Sequence, residues 1–151
     1  MKIGVISDTH AQTMEDIPWS ILNALEDVDF IIHAGDFAER VVLEGLREIA
    51  EVKAVYGNMD SGELKRMLPD KRIIDVERRQ IGLVHGSGGP WGMEERVRLL
   101  FGEVDVIIFG HSHLSFNEYI RGTLMFNPGR AWDSFGILTI EKEIKAEILK
   151  V

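Results

Sequence analysis

The chain has 151 residues, no cysteine and a formal net charge of −8. Its length fits one domain of roughly 100–200 residues, and the absence of cysteine excludes disulfides, thiolate metal sites and a cysteine nucleophile. Acidic residues outnumber basic ones 25 to 17, which disfavours duplex nucleic acid as a partner because proteins that bind it neutralise phosphates with Lys and Arg.

Membrane insertion and secretion are also disfavoured. No apolar run approaches the ~20 residues of a membrane span, and the first predicted strand begins at Lys2, which leaves no room for a signal peptide. We therefore expect one domain over residues 1–151, located in the cytoplasm, with no membrane partner.

Five apolar runs rich in Val and Ile are predicted to form strands. They occupy residues 2–7, 28–33, 52–56, 81–85 and 104–110. Such continuous runs are typical of strands buried on both faces, as in parallel sheets. Between several of these runs, apolar residues recur with the spacing of an amphipathic helix. They are Ile21, Leu22, Leu25 and Val28, then Val42, Leu46 and Ile49, and then Met93, Val97, Leu100 and Val104. The pattern predicts β-α-β-α-β with a further αβ unit after residue 90.

The last third of the chain has a different pattern. Short apolar stretches at 116–120, 123–127, 135–140 and 145–150 are separated by turn signals, which predicts a meander of antiparallel strands. Together the two patterns indicate an α/β domain with two packed sheets.

Polar residues follow each of the five apolar runs. In chain order they are Asp8 and His10, then Asp36, then Asn58, then His85, then His111 and His113. Ligands of open α/β sheets bind outside the carboxyl ends of the strands. We therefore expect these seven side chains to lie close together.

The spacing and the residue types both point to metal binding. In an extended segment residues two apart point the same way, so Asp8 and His10 can face one site, and so can His111 and His113. Two carboxylates, one amide and four imidazoles exceed what one divalent ion takes from a protein and suit two ions sharing a carboxylate. Mn²⁺, Fe²⁺, Co²⁺, Ni²⁺ and Zn²⁺ fit this mixed set better than Ca²⁺ does.

These residues form a motif series that resembles the calcineurin-like metallophosphoesterases. The series is Asp-x-His at 8–10, Gly-Asp at 35–36, Gly-Asn at 57–58, His85, and Gly-His-x-His at 110–113, and Asn-Pro-Gly at 127–129 is similar to the small prokaryotic phosphodiesterase branch. The resemblance implies a four-layer α/β/β/α sandwich of two mixed sheets with helices on the outer faces.

The resemblance also implies a dinuclear site and an activity. One ion would be held by Asp8, His10, Asp36 and His113, and the other by Asp36, Asn58, His85 and His111, with Asp36 bridging; the catalytic residues would be Asp36, Asn58 and His85. Hydroxide between the ions would attack a small phosphodiester or nucleotide-like substrate. We expect Mn²⁺, with Ni²⁺, Co²⁺, Fe²⁺, Zn²⁺ and Mg²⁺ left open. A homodimer or homotetramer is also left open.

Residues 57–60, Gly-Asn-Met-Asp, depart from the family pattern at Met59. Many relatives have a histidine there that protonates the leaving alkoxide, and a thioether has no proton to give. General acid catalysis contributes about 10²–10⁴-fold, so we expect slow turnover unless the leaving group is aryl or otherwise stabilised. Met59 would pack or contact an apolar part of the substrate. Asp60, freed from orienting a histidine, would cap a short helix with Glu63 in a capping box.

Four further residues have open roles. His33 lies an odd number of residues before Asp36, so we expect it on the other side of the sheet, in the core or supporting a ligand. Ser87 would bond a phosphate oxygen or turn the chain, and Trp91 would line the substrate mouth or anchor the core. Arg130 follows the Asn-Pro-Gly turn, with substrate or a neighbouring subunit as its candidate partner.

Two alternative functions remain. The same site would serve a phosphomonoesterase or protein phosphatase, although those enzymes usually keep the histidine that Met59 replaces. A non-catalytic scaffold is the other alternative, because a retromer subunit resembles these enzymes but has lost several histidine ligands. All seven expected ligands are present here, which favours an enzyme.

Overall fold

The computed structural model describes residues 1–151, which form ten strands and four α-helices. The strands are β1 Lys2–Ile6, β2 Phe30–His33, β3 Glu51–Ala54, β4 Lys71–Val76, β5 Arg79–Val84, β6 Val106–Ile108, β7 Phe116–Ile120, β8 Thr123–Asn127, β9 Ser134–Ile140 and β10 Ile144–Lys150. The helices are α1 Trp19–Leu25, α2 Arg40–Ile49, α3 Gly62–Met67 and α4 Met93–Arg98. None of them is long and apolar enough to cross a membrane.

The strands form two mixed sheets of five strands each. The first has the order β10-β9-β1-β2-β3, in which β1, β2 and β3 are parallel and β9 is antiparallel to both β1 and β10. The second has the order β4-β5-β6-β8-β7, in which β5, β6 and β8 are parallel and the two edge strands are antiparallel. Each sheet therefore contains three adjacent parallel strands, which are β1, β2 and β3 in the first sheet and β5, β6 and β8 in the second.

The core is divided into three apolar layers. A cluster of 16 buried residues from both sheets, including Ile32, Leu83 and Ile108, fills the space between them. A second cluster packs α1 and α2 on the first sheet through residues such as Leu25 and Leu46. A third packs α4 on the second sheet through Val97. The result is the expected four-layer α/β/β/α sandwich.

The predicted antiparallel meander of the last third is wrong. Its strands do form two antiparallel hairpins, β7–β8 and β9–β10, but β8 pairs in parallel with β6 while β9 pairs with β1 in the other sheet. A hairpin is specified by its turn and its local alternation, whereas the sheet that it joins is decided by packing between distant segments.

Candidate metal centre

The predicted ligands follow strands of both sheets and meet where the carboxyl ends of those strands come together. Asp8 and Asp36 follow β1 and β2 of the first sheet, whereas His85 and His113 follow β5 and β6 of the second. Their side chains approach within 4 Å across the gap, as His85 Nε2 to Asp36 Oδ2 at 3.2 Å and His113 Nε2 to Asp8 Oδ1 at 3.4 Å show.

The first group of ligand atoms surrounds Asp8 Oδ1. His10 Nε2 lies 3.7 Å from this oxygen and 3.7 Å from Asp36 Oδ2, and His113 Nε2 lies on its other side. Asp8 Oδ1 and His10 Nε2 are both buried and have no hydrogen-bond partner. Buried polar atoms are almost always paired, so these atoms fit a cation held between them.

The second group contains the imidazoles of His85 and His111, and one nitrogen of each ring bonds to a backbone carbonyl. His85 Nδ1 donates to the Ala34 carbonyl at 2.7 Å, and His111 Nε2 donates to the Gly88 carbonyl at 3.0 Å. Because a carbonyl only accepts, the nitrogen that bonds to it, His85 Nδ1 or His111 Nε2, carries a proton. This leaves His85 Nε2 and His111 Nδ1, which lie 3.3 Å apart, as the ring nitrogens that can bind a metal, while the bonds of the other nitrogens orient the rings.

The charges at this site favour a bound cation. Burial opposes ionisation of Asp8, but the imidazoles of His10 and His85 and the hydroxyl of Ser7 outweigh it and lower the pKa of Asp8. The pKa of Asp36 is likewise lowered against burial, chiefly by His85. Burial would lower the pKa of His85, yet its bond to Asp36 and the charge of Asp8 raise it.

The backbone at the site is strained. Five of the predicted ligands adopt left-handed backbone conformations, with φ of 53° at Asp8, 44° at His10, 62° at Asp36, 67° at His111 and 63° at His113. Non-glycine residues with positive φ are uncommon and cluster at functional sites. Extended geometry was therefore the wrong reason for Asp8 and His10 to face one site: these residues lie in tight loops, and the loops bring their side chains together.

Asn58 lies beside the other six residues. It is exposed, and it lines a cavity of about 370 Å³ together with His85. The neighbouring Gly57 packs so tightly on Asp36 Oδ1 that no Cβ would fit there. Asn58 thus lies at the cavity, on a loop that touches the Asp36 carboxylate directly.

Asp60 does not cap the short helix. Ser61 does so, with its hydroxyl accepting from Leu64 N at 3.2 Å. The buried carboxylate of Asp60 accepts from the backbone N–H groups of Gly57 at 2.8 Å, Asp36 at 2.9 Å and Ala38 at 3.0 Å. Sequence reasoning missed this role, because the carboxylate joins loops more than 20 residues apart.

His33 supports the ligand loops from the core. It is fully buried, stacks on Phe37 with ring centroids 3.5 Å apart, and accepts a bond from Gly35 N at Nδ1, 3.0 Å away. Its Nε2 lies 3.1 Å from Thr9 Oγ1, whose hydroxyl reaches the carbonyls of Asp36 and Phe37. Thr9, between the ligands Asp8 and His10, is therefore a further supporting residue.

The remaining candidates lie at the surface around the site. Ser87 lines the same cavity as Asn58. Trp91 is 84% exposed and Met59 is 62% exposed, so Trp91 does not anchor the core and the Met59 side chain does not pack. The backbone N–H of Met59 instead donates to Asp36 Oδ1 at 2.8 Å. Arg130 pairs with Asp133 at 2.5 Å.

An α/β/β/α sandwich with Asp and His donors gathered at the strand ends defines a metallophosphoesterase. The calcineurin-like phosphoesterase superfamily domain matches residues 1–143. Probable metallophosphoesterase MJ0623 of Methanocaldococcus jannaschii is 36% identical over 161 residues, covering 100% of this chain and 82% of that protein. Phosphodiesterase MJ0936 of the same organism is 31% identical over 172 residues, covering 99% of each.

Solved structures agree with these sequence matches. The solution structure of Thermotoga maritima protein TM1076 is 32% identical, with a TM-score of 0.79 and 99% of each chain covered. The crystal structure of Vps29 from Entamoeba histolytica, complexed with zinc, is 26% identical, with a TM-score of 0.76 and 99% of each chain covered. The chain belongs to the calcineurin-like phosphoesterase superfamily.

Proposed function

We propose that the protein is a dinuclear metal-dependent phosphodiesterase, formed by a single domain over residues 1–151 and acting on a small phosphodiester. The observation that carries this proposal is two adjoining groups of ligand atoms, Asp8 with His10 and His113 and Asp8 with Asp36 and His85, in each of which the atoms lie within 4.8 Å of one another. The buried atoms Asp8 Oδ1 and His10 Nε2 have no hydrogen-bond partner.

The two ions would share a carboxylate. His10 and His113 would hold one ion with Asp8, and His85, His111 and Asn58 would hold the other. Asp36 Oδ2 lies 3.7 Å from His10 Nε2 and 3.2 Å from His85 Nε2, which supports it as the bridge. Asp8 is also common to both groups of ligand atoms, with Oδ1 3.4 Å from His113 Nε2 and 3.8 Å from His85 Nε2, so the preference for Asp36 rests on its position in the family's motif.

The chain supplies charge and orientation to the reaction. Two bound divalent ions would supply an activated water and neutralise charge on the phosphoryl oxygens. The two carboxylates Asp8 and Asp36 offset only half of that added charge, so a loaded site attracts phosphate into an otherwise acidic protein. The N–H of Met59 and the ring of His85 fix the Asp36 carboxylate from two sides.

A diester with a good leaving group is the favoured substrate class. Met59 offers no proton, and its side chain projects into solvent. The similarity to a relative named as a phosphodiesterase, which extends over 99% of both chains, supports the same preference. Mn²⁺ is the proposed metal, because a site of mixed nitrogen and oxygen ligands suits it and its first-row neighbours.

The proposal is tested by hydrolysis after metal removal. Metal-free protein reloaded with Mn²⁺ is expected to hydrolyse bis(p-nitrophenyl) phosphate faster than p-nitrophenyl phosphate. Chelator or Asp36→Ala should abolish turnover, while Asp27→Ala, a distant exposed carboxylate, should leave it unchanged. Met59→His should raise the rate by about 10²-fold on a diester with an alkyl leaving group and little on the aryl one. Faster turnover of the monoester would contradict the proposal and favour a phosphomonoesterase.

A scaffold is the second candidate. The similarity to Vps29, which binds zinc in the solved complex, covers nearly all of both chains. Metal binding without hydrolysis of any phosphate ester would favour this candidate over the enzyme.

A further inference from the structure

A cavity with both polar and apolar lining adjoins the proposed second metal site. Asn58 and His85 form part of its wall, and its volume is about 370 Å³. Pockets for small ligands usually measure about 300–1,000 Å³. A phosphodiester bound at the ions would therefore extend one of its two ester substituents into this cavity.

The rest of the wall combines groups that donate and groups that accept hydrogen bonds. Asp70 contributes a carboxylate, which only accepts, and Lys71 an ammonium, which only donates. Tyr56 and Ser87 contribute hydroxyls, which do both. The one cation is matched by one anion, so the lining is suited to a neutral polar group rather than to a second phosphate.

Apolar surface alternates with these polar groups. Val84 and Leu100 line the cavity beside the Tyr56 ring. A sugar-like group presents the same combination, because its hydroxyls both donate and accept while its C–H faces are apolar. A plain alkyl or aryl substituent would form none of the hydrogen bonds that Asp70 and Lys71 offer, so it would gain less from the cavity than a hydroxylated substituent does.

The local fold places these residues beside His85. Lys71 begins β4 and pairs with Val84, the residue before His85, in the antiparallel ladder with β5. Its ammonium donates to the Leu100 carbonyl at 3.1 Å, and an ammonium has three donors, so two remain. Tyr56 is tied to the same turn through its N–H, which bonds the Pro69 carbonyl at 3.1 Å.

We propose that this cavity binds a polyhydroxylated, sugar-like ester substituent of the substrate, and that Asp70 and Lys71 determine this specificity. The inference rests on the proposed phosphodiesterase function. It adds the chemical class of the substituent that lies next to the second ion.

The test uses three p-nitrophenyl phosphodiesters with the same leaving group, whose other arm is ribose joined through its 5-oxygen, glycerol or pentyl. With Mn²⁺-loaded protein, KM for the ribose arm should be about tenfold lower than for the pentyl arm, since two or more hydrogen bonds are added. Asp70→Ala and Lys71→Met should reduce this difference to less than about threefold, through a higher KM for the ribose arm. A glycerol arm with the same KM as the ribose arm would overturn the sugar-like substituent and leave a simple diol as the recognised group.

Controls separate this inference from the function on which it rests. Lys145→Met and Asp27→Ala alter exposed charges away from the cavity and should keep the preference. Turnover of all three diesters with equal KM would overturn the inference and leave the phosphodiesterase intact. Absence of turnover on all three would instead overturn the proposed function.

Binding gives a readout that is independent of turnover. Ribose 5-(methylphosphonate), in which a P–C bond replaces the ester to the leaving group, should shift the amide resonances of residues 56, 70, 71 and 87 in loaded protein. Lys71→Met should abolish the shifts at 70 and 71. Shifts confined to other residues would overturn the inference even if the protein proved inactive.

Discussion

Asp60 is a single residue that ties two ligand-bearing loops together. Its carboxylate accepts from the N–H groups of Asp36, Gly57 and Ala38, and it is buried. Asp60→Ala would leave three buried donors unpaired, each at a cost of about 1–3 kcal/mol, some of which water and relaxation would recover. We expect urea unfolding to report a loss of about 3 kcal/mol in stability, and metal titration to report affinity about 10–100-fold weaker.

The helix cap next to it is the matched control. Ser61→Ala removes the hydroxyl that accepts from Leu64 N, and an N-cap is worth about 1 kcal/mol. This variant should unfold more easily while its metal affinity stays unchanged. If Asp60→Ala behaved like Ser61→Ala in both measurements, Asp60 would have no role in positioning the ligands.

One side chain from α4 holds the conformation of the loop at residues 86–92. The guanidinium of Arg96 donates to the carbonyls of Ser87 at 2.9 Å, Trp91 at 2.8 Å and, at shorter range, Gly89. The Gly88 carbonyl in the same loop accepts from His111 Nε2. Arg96 therefore orients a proposed metal ligand through the loop backbone.

Arg96→Met should loosen this loop. We expect faster amide hydrogen exchange at residues 87–91 and roughly tenfold weaker binding of one of the two ions, because a partner that orients a ligand is disturbed. Arg47→Met, on the exposed face of α2, should change neither quantity. Unchanged exchange in Arg96→Met would mean that the loop holds its shape without the guanidinium.

At the scale of the whole molecule, stability should depend on pH through the buried His33. Burial lowers the pKa of His33 to about 3, from 6.5, because it disfavours the charged imidazolium. Nδ1 also accepts from Gly35 N, so protonation there would break that bond. The unfolded chain binds the proton below pH 6.5 and the folded chain does not. The stabilising contribution is therefore fully present above pH 6.5 and is lost as the pH falls towards 3.

Comparison with His33→Asn isolates this effect. Asn keeps an acceptor for Gly35 N but does not titrate. In chelator, the urea stability of the wild type should fall between pH 7 and pH 5 by about 2 kcal/mol more than that of the variant. Parallel losses in the two proteins would show that His33 is not held neutral by the fold.

Local sequence predicted the strands whose two faces are buried, and it predicted where the polar residues gather. The apolar runs mark β1, β2, β5 and β6, because each is covered by a sheet on one side and helices on the other. Edge strand β4 escaped prediction because half of its residues are exposed and its charges interrupt the apolar pattern. Local sequence does not predict which sheet each C-terminal hairpin joins, because packing between distant segments decides it.

Local sequence likewise predicted one part of the site but not the part that depends on distant contacts. The positions of six converging residues follow from strand ends, but their left-handed backbone conformations do not. The support from Asp60 and Thr9 depends on loops brought together from distant parts of the chain, so it carries no local signal. The predicted cap at Asp60 was wrong for this reason. Of the two roles considered for Met59, packing is excluded by its exposure, and contact with the substrate stays a prediction.

The most direct test of the account is the electron paramagnetic resonance spectrum of metal-free protein titrated with Mn²⁺. Two ions about 3.5–4 Å apart are magnetically coupled, so the account predicts an exchange-coupled spectrum that reaches its maximum at two ions per chain and is absent in Asp36→Ala. A spectrum of isolated ions only, saturating at one ion per chain, would contradict the dinuclear centre.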